Sequence, residues 1–145
     1  MAYTPFYSGQ DATADLLGTQ LIEELMEWTS FANLGTFASG FTAGSNTPML
    51  RKIQMLGQER WEYKGRISIT AGTLVANTDT TVFTFDAGYR PTVEHGWAVC
   101  SASSDFFPIR MTLQTNGQIR AGVPTEAGNN ANALLLDGVY IDEPI

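Results

Sequence analysis

Residues 59–70, ERWEYKGRISIT, alternate apolar and polar side chains. Trp61, Tyr63, Gly65, Ile67 and Ile69 share one face, and Glu62, Lys64, Arg66 and Ser68 share the other. Successive side chains of a β-strand point to opposite faces, so a period of two marks a half-buried strand and sets which residues face the core. The pattern recurs partly in MLRKIQML (49–56) and around Val82 in TTVFTFDA (80–87). It continues on Val93, His95, Trp97 and Val99, and on Ile109, Met111 and Leu113. Asn116-Gly117 lies between two alternating runs and predicts a two-residue hairpin turn with QIRAGV as the return strand. EAGNNANA (126–133) reads as a polar loop and LLLDGVYID (134–142) as the last strand. Roughly seven short strands in succession, with no βαβ alternation and no internal repeat, predict a mainly β, antiparallel sandwich or barrel.

The first 48 residues break this rhythm. Residues 1–10, MAYTPFYSGQ, hold Tyr3, Phe6 and Tyr7 without a period, as an arm that docks through its aromatics would. Residues 11–28 space Leu17, Leu21, Leu25 and Trp28 by four, four and three, which predicts one N-terminal α-helix. That helix either covers its own domain or packs against copies of itself around an axis. Residues 29–48 are rich in Gly, Ser, Thr and Ala and read as a linker with short strands. The expected division is 1–28 arm and helix, 29–48 linker, and 49–145 β-sandwich domain.

Charge and residue counts remove several functions. The net charge is -7, which argues against nucleic acid, since phosphate contacts need clustered Lys and Arg. The cations near Arg51-Lys52, namely Arg60, Lys64 and Arg66, are interrupted by Glu59 and Glu62 and read as outward strand positions. Charged residues are only 16%, against about 25% in ordinary soluble domains, which suits a chain that buries surface against other copies. One cysteine, Cys100, allows no intrachain disulfide and reads as a small buried thiol. MAYTPFYSGQDATAD lacks the basic and apolar regions of a secretory signal, and no apolar run reaches membrane-spanning length, so synthesis in a cytoplasm without membrane insertion is expected.

No catalytic constellation is visible. His95 is the only histidine and reads as a strand-face residue; with one Cys and one His, a zinc site is not available. NTDT (77–80) and LDG (136–138) match no calcium loop, and no Gly-rich loop precedes a helix. The expectation is a non-enzyme with no cofactor and no metal.

FDAGYRPTVEHGWAV (85–99) spends a Tyr and an Arg on the turn Gly88-Tyr89-Arg90-Pro91, where small polar residues are usual. Pro91 sets its own φ and biases Arg90 towards extended backbone. Tyr89 can lie over the end of the sandwich, and Arg90 can reach a carboxylate or carbonyl. The stretch therefore reads as a structural corner.

In order, WTSFANLGTFASGF, MLRKIQMLGQERWEYKGRI, TVFTFDAGYRP, TLQTNGQIRA and LLLDGVYI resemble the small β-domains of tailed-bacteriophage virion proteins. Those are tail-fibre and minor-tail-protein tips and head-fibre or capsid-decoration modules, and the resemblance spans roughly residues 28–141. It implies a non-enzymatic homotrimer of jelly-roll-like sandwiches at the virion surface. It further implies a protein attached through Tyr3, Phe6 and Tyr7 to the major capsid protein or another virion protein, with Leu17, Leu21, Leu25 and Trp28 between protomers. The alternative that it implies is a tail-fibre tip adhering to host cell-surface carbohydrate.

Overall fold

The computed structural model describes residues 22–102, 107–124 and 131–144. Twelve strands follow one another among them: β1 (Ile22–Ser30), β2 (Gly35–Phe37), β3 (Phe41–Ala43), β4 (Met49–Met55), β5 (Gln58–Lys64) and β6 (Arg66–Ile69), then β7 (Thr80–Phe85), β8 (His95–Cys100), β9 (Pro108–Leu113), β10 (Gln118–Gly122), β11 (Ala133–Leu135) and β12 (Tyr140–Asp142). They form three sheets, ordered β1-β4-β5-β12, β2-β7-β10-β9-β8 and β11-β6-β3. Every pairing is antiparallel. The expected mainly β, antiparallel architecture is present.

One hydrophobic core takes residues from all three sheets: Leu50, Trp61 and Tyr63 from the first, Phe83, Met111 and Ile119 from the second, Ile67 and Leu134 from the third. Phe31, Phe83 and Phe85 stack mutually with centroids 4.8–5.2 Å apart, within the range of favourable edge-to-face and offset contacts. The alternating positions Ile109, Met111 and Leu113 are all fully buried.

Five sequence expectations change. Residues 22–28, the C-terminal part of the expected helix, belong to β1, an edge strand paired with β4; the rest of that expectation, with Leu17 and Leu21, lies outside the described residues. Register shifts between Glu24 and Met26 and between Met26 and Thr29 offset the alternation. A bulge inserts an extra residue, so apolar spacings of three arise in a strand and mimic a helical stripe. Residues 29–48 hold the short strands β2 and β3, but they also contribute to the core, with Phe31, Leu34 and Phe41 buried.

Trp61 to Ile69 is not one strand. Gly65 has φ +91°, and a Cβ there would lie 2.1 Å from the Thr47 carbonyl oxygen. This left-handed glycine, excluded to other residues by that contact, passes the chain from the first sheet to the third. LLLDGVYID likewise divides into β11 and β12 around a turn at Asp137-Gly138, whose Asp137 carboxylate accepts from the Gly65 N–H at 2.9 Å.

The two-residue hairpin turn expected at Asn116-Gly117 lies elsewhere. Leu56 (φ 50°) and Gly57 (φ 85°) alone separate the paired Met55 and Gln58, the double positive φ of a type I′ turn. At TNGQ, Gly117 N–H donates to the Gln114 carbonyl, and Gln114 N–H donates to the Gln118 carbonyl. Only Gly117 of that loop has positive φ, so it is a three-residue turn closed by a glycine bulge.

Candidate functional site

Two aromatic-and-cation clusters occupy opposite faces of the first sheet. Their residues are set by β4–β5 register, in which Arg51 faces Glu62 and Lys52 faces Trp61.

The inner cluster holds the corner 86–95 against β4 and β5. Ala87–Tyr89 make a single 3-10 turn. Lys52 Nζ donates to the Gly88 carbonyl at 3.1 Å and lies 4.0 Å from the Trp61 ring centroid and 5.3 Å from that of Tyr89. Burial lowers the Lys52 pKa, opposed by the charges of Glu59 and Glu143. Arg90 Nε donates to the Phe85 carbonyl at 3.1 Å, and its stem lies over Gly117, where a Cβ would approach Arg90 Cγ to 2.9 Å. Pro91 is buried. Gly88, Tyr89, Arg90 and Pro91 thus tie the corner to β4, to their own strand β7 and to the neighbouring hairpin.

Glu143 closes this cluster. It is 6% exposed, and its Oε2 accepts from Thr92 N–H at 2.9 Å and from Thr92 Oγ1 at 2.8 Å. Its Oε1 is 3.0 Å from His95 Nε2. Gln58 Nε2 donates to the Glu143 carbonyl. The Tyr63 hydroxyl pKa is pushed far up, first by burial and then by the Glu143 charge. A Thr, a His and a Glu together invite a nucleophilic reading, but the hydroxyl bonds the carboxylate rather than the imidazole. The Glu143 carboxylate that accepts this bond is also held by the Thr92 N–H and by His95, so the arrangement ties the corner to the segment after β12 through one buried carboxylate. Among the described residues no group of three or more His, Cys, Asp and Glu is placed to hold a metal.

The outer cluster lines a groove of about 310 Å³ between β1, β5 and the start of β12, bordered by Trp28, Arg60, Glu62, Lys64, Val139 and Tyr140. Lys64 Nζ lies 4.2 Å and Arg51 Cζ 4.9 Å from the Trp28 ring centroid. Arg60 Cζ lies 4.0 Å from the Tyr140 ring centroid, and Arg60 also pairs with both Asp142 oxygens at 2.7 and 3.1 Å. Those bonds hold the Asp142 pKa below its ordinary value and raise that of Arg60. Arg51 pairs with Glu62 at 3.0 Å. Lys64 has no hydrogen bond or ion pair among the described residues, and Tyr140 is 53% exposed. The groove therefore presents two aromatic walls and one uncommitted ammonium. A second recess of about 420 Å³ by Asn77, Asp79, Arg110 and Pro124 is larger but lined by no aromatic ring, and its Arg110–Asp79 pair at 2.5 Å is closed on itself.

Of the residues singled out in sequence, Tyr3, Phe6, Tyr7, Leu17 and Leu21 lie outside the described residues. Leu25 and Trp28 lie on β1, with Leu25 44% exposed. Cys100, expected to be buried, is exposed on β8, because the inward positions of that strand are His95, Trp97 and Val99. Glu143 and Tyr140 were not singled out; Arg60 was read as an outward strand position, whereas Lys52 of the same basic group lies on the inner side, over the buried Trp61. The alternation of 59–64 carried a signal for Arg60, whereas Glu143 sits in IDEPI with no pattern to mark it.

No protein-family model matches the sequence, and comparison with curated proteins finds no match. Two solved structures share the fold. The receptor binding protein gp15 of Listeria phage PSA superposes on 90% of this chain and 71% of its own, with a TM-score of 0.57 and 14% identity. The head domain of phage bIL170, a receptor binding domain of a lactococcal phage, superposes on 83% of this chain and 98% of its own, with a TM-score of 0.56 and 17% identity. At these identities the likeness is one of fold, and it agrees with the resemblance to phage virion surface proteins read from the sequence.

Proposed function

We propose that this chain is a non-enzymatic surface domain of a phage virion that recognises host cell-surface carbohydrate. The observation that carries the reading is the fold shared with two phage receptor-binding proteins over 90% and 83% of the chain. The groove of Trp28, Lys64, Arg60 and Tyr140 supplies the contact: aromatic faces for sugar rings, and cations that restrain those faces and offer donors. The jelly-roll-like subunit acts as a homotrimer, which accounts for the low charge content.

The test is binding of the full chain to host cells and to a glycan array. Trp28→Ala and Lys64→Met should each weaken binding about tenfold or more, near 1.4 kcal/mol, without unfolding the protein. Retained binding in both variants would remove the groove from the function. Absence of any cell or glycan binding by the wild type would remove the receptor reading. In the competing reading, the chain decorates the capsid or forms a head fibre and attaches through Tyr3, Phe6 and Tyr7. It is favoured by the three aromatic residues Tyr3, Phe6 and Tyr7 among the first ten. Deleting residues 1–10 should then abolish particle attachment and leave assembly intact.

A further inference from the structure

We propose that the outer face of the five-stranded sheet docks on strand β1 of a second copy of this chain. The inference rests on the assembly part of the reading above and assigns its surfaces. On this face Gly96 and Ala98 of β8 are exposed, Gly122 opposes Arg110, and Thr112 and Thr81 flank Arg120. Small side chains let another backbone approach closely. In the middle stands Arg120, whose Nε is buried without a hydrogen bond and whose guanidinium has no ion pair among the described residues. A buried guanidinium nitrogen left unbonded is costly, and a carboxylate is its natural partner. Asp79, at the border of the face, is already taken by Arg110.

Strand β1 has the opposite need. Among the described residues it is an outer edge of its sheet, nine residues long, and leaves Ile22 50% and Leu25 44% exposed. Open edges of that length are usually covered or blunted. Glu23, Glu24 and Glu27 are exposed on it, and none forms an ion pair among the described residues. An acidic, partly apolar edge therefore complements a face of small residues with, at its centre, one guanidinium unpaired among the described residues. The two surfaces differ, so the contact is heterologous and closes into a ring when the rotation allows, as in a trimer.

The experiment is the solution mass of the full chain by light scattering. The wild type should run at a multiple of 15.8 kDa. Arg120→Glu should run as the monomer. Ala98→Arg, at an exposed position away from the core, should do the same and guards against misfolding of the first variant. The combined reversal of Arg120→Glu, Glu23→Arg and Glu27→Arg should restore the multimer. A monomeric wild type, or a multimer unchanged in both single variants, would overturn the proposal. Dissociation without restoration by the combined reversal would overturn β1 as the docking element. Lost cell binding in Trp28→Ala at unchanged mass bears only on the receptor reading.

Discussion

Lys52 and Lys64 both hold an ammonium over a tryptophan ring, at 4.0 and 4.2 Å. The contacts differ in what surrounds them. Lys52 lies over Trp61, which is 3% exposed, and spends a hydrogen bond on Gly88. Lys64 lies over the half-buried Trp28 and has no hydrogen bond among the described residues. The same cation–aromatic pair is thus a fastening on one face of the sheet and an available surface on the other. Commitment of the ammonium to other partners, rather than the ring contact itself, separates a structural corner from a candidate contact.

The largest way to break the inner side is Glu143→Ala. It removes the shared acceptor of Thr92 and His95 from a part-buried network, which should cost about 2 kcal/mol. Chemical denaturation should show that loss; a change under about 0.5 kcal/mol would mean the anchor contributes nothing. Arg90→Ala removes the bond to the Phe85 carbonyl and should cost about 1 kcal/mol with carbohydrate binding retained. Equal stability with lost binding would make the corner a ligand site.

Lys52→Met sharpens the contrast through pH. Burial lowers the folded-state pKa of Lys52 below its ordinary 10.5, so the unfolded chain holds this proton more tightly. The protonated amine therefore opposes folding at neutral pH, and the opposition fades as pH rises through the folded-state pKa towards 10.5. The stability of the wild type relative to Lys52→Met should accordingly rise over that alkaline range. A flat difference would show that the ammonium is not desolvated. The smallest effect on folding is expected for Lys64→Met, within about 0.5 kcal/mol, although its carbohydrate binding should fall. A larger folding loss there would erase the distinction between the two lysines.

Local chemistry alone determined a good part of this protein. Period-two alternation marked Ile109, Met111 and Leu113 as core, because side-chain direction alternates along a strand. Tertiary structure decided the rest. Residues 22–28, which the leucine spacing assigns to the end of a helix, pair with β4 as a bulged strand. Gly65, at φ +91° with the Thr47 carbonyl where a Cβ would sit, ends a strand that the alternation would have continued. Glu143 met Thr92 and His95, and Trp28 met Lys64, only because partners distant in sequence were brought together by strand register. Burial and pairing of that kind depend on what lies across the sheet, which no local pattern encodes.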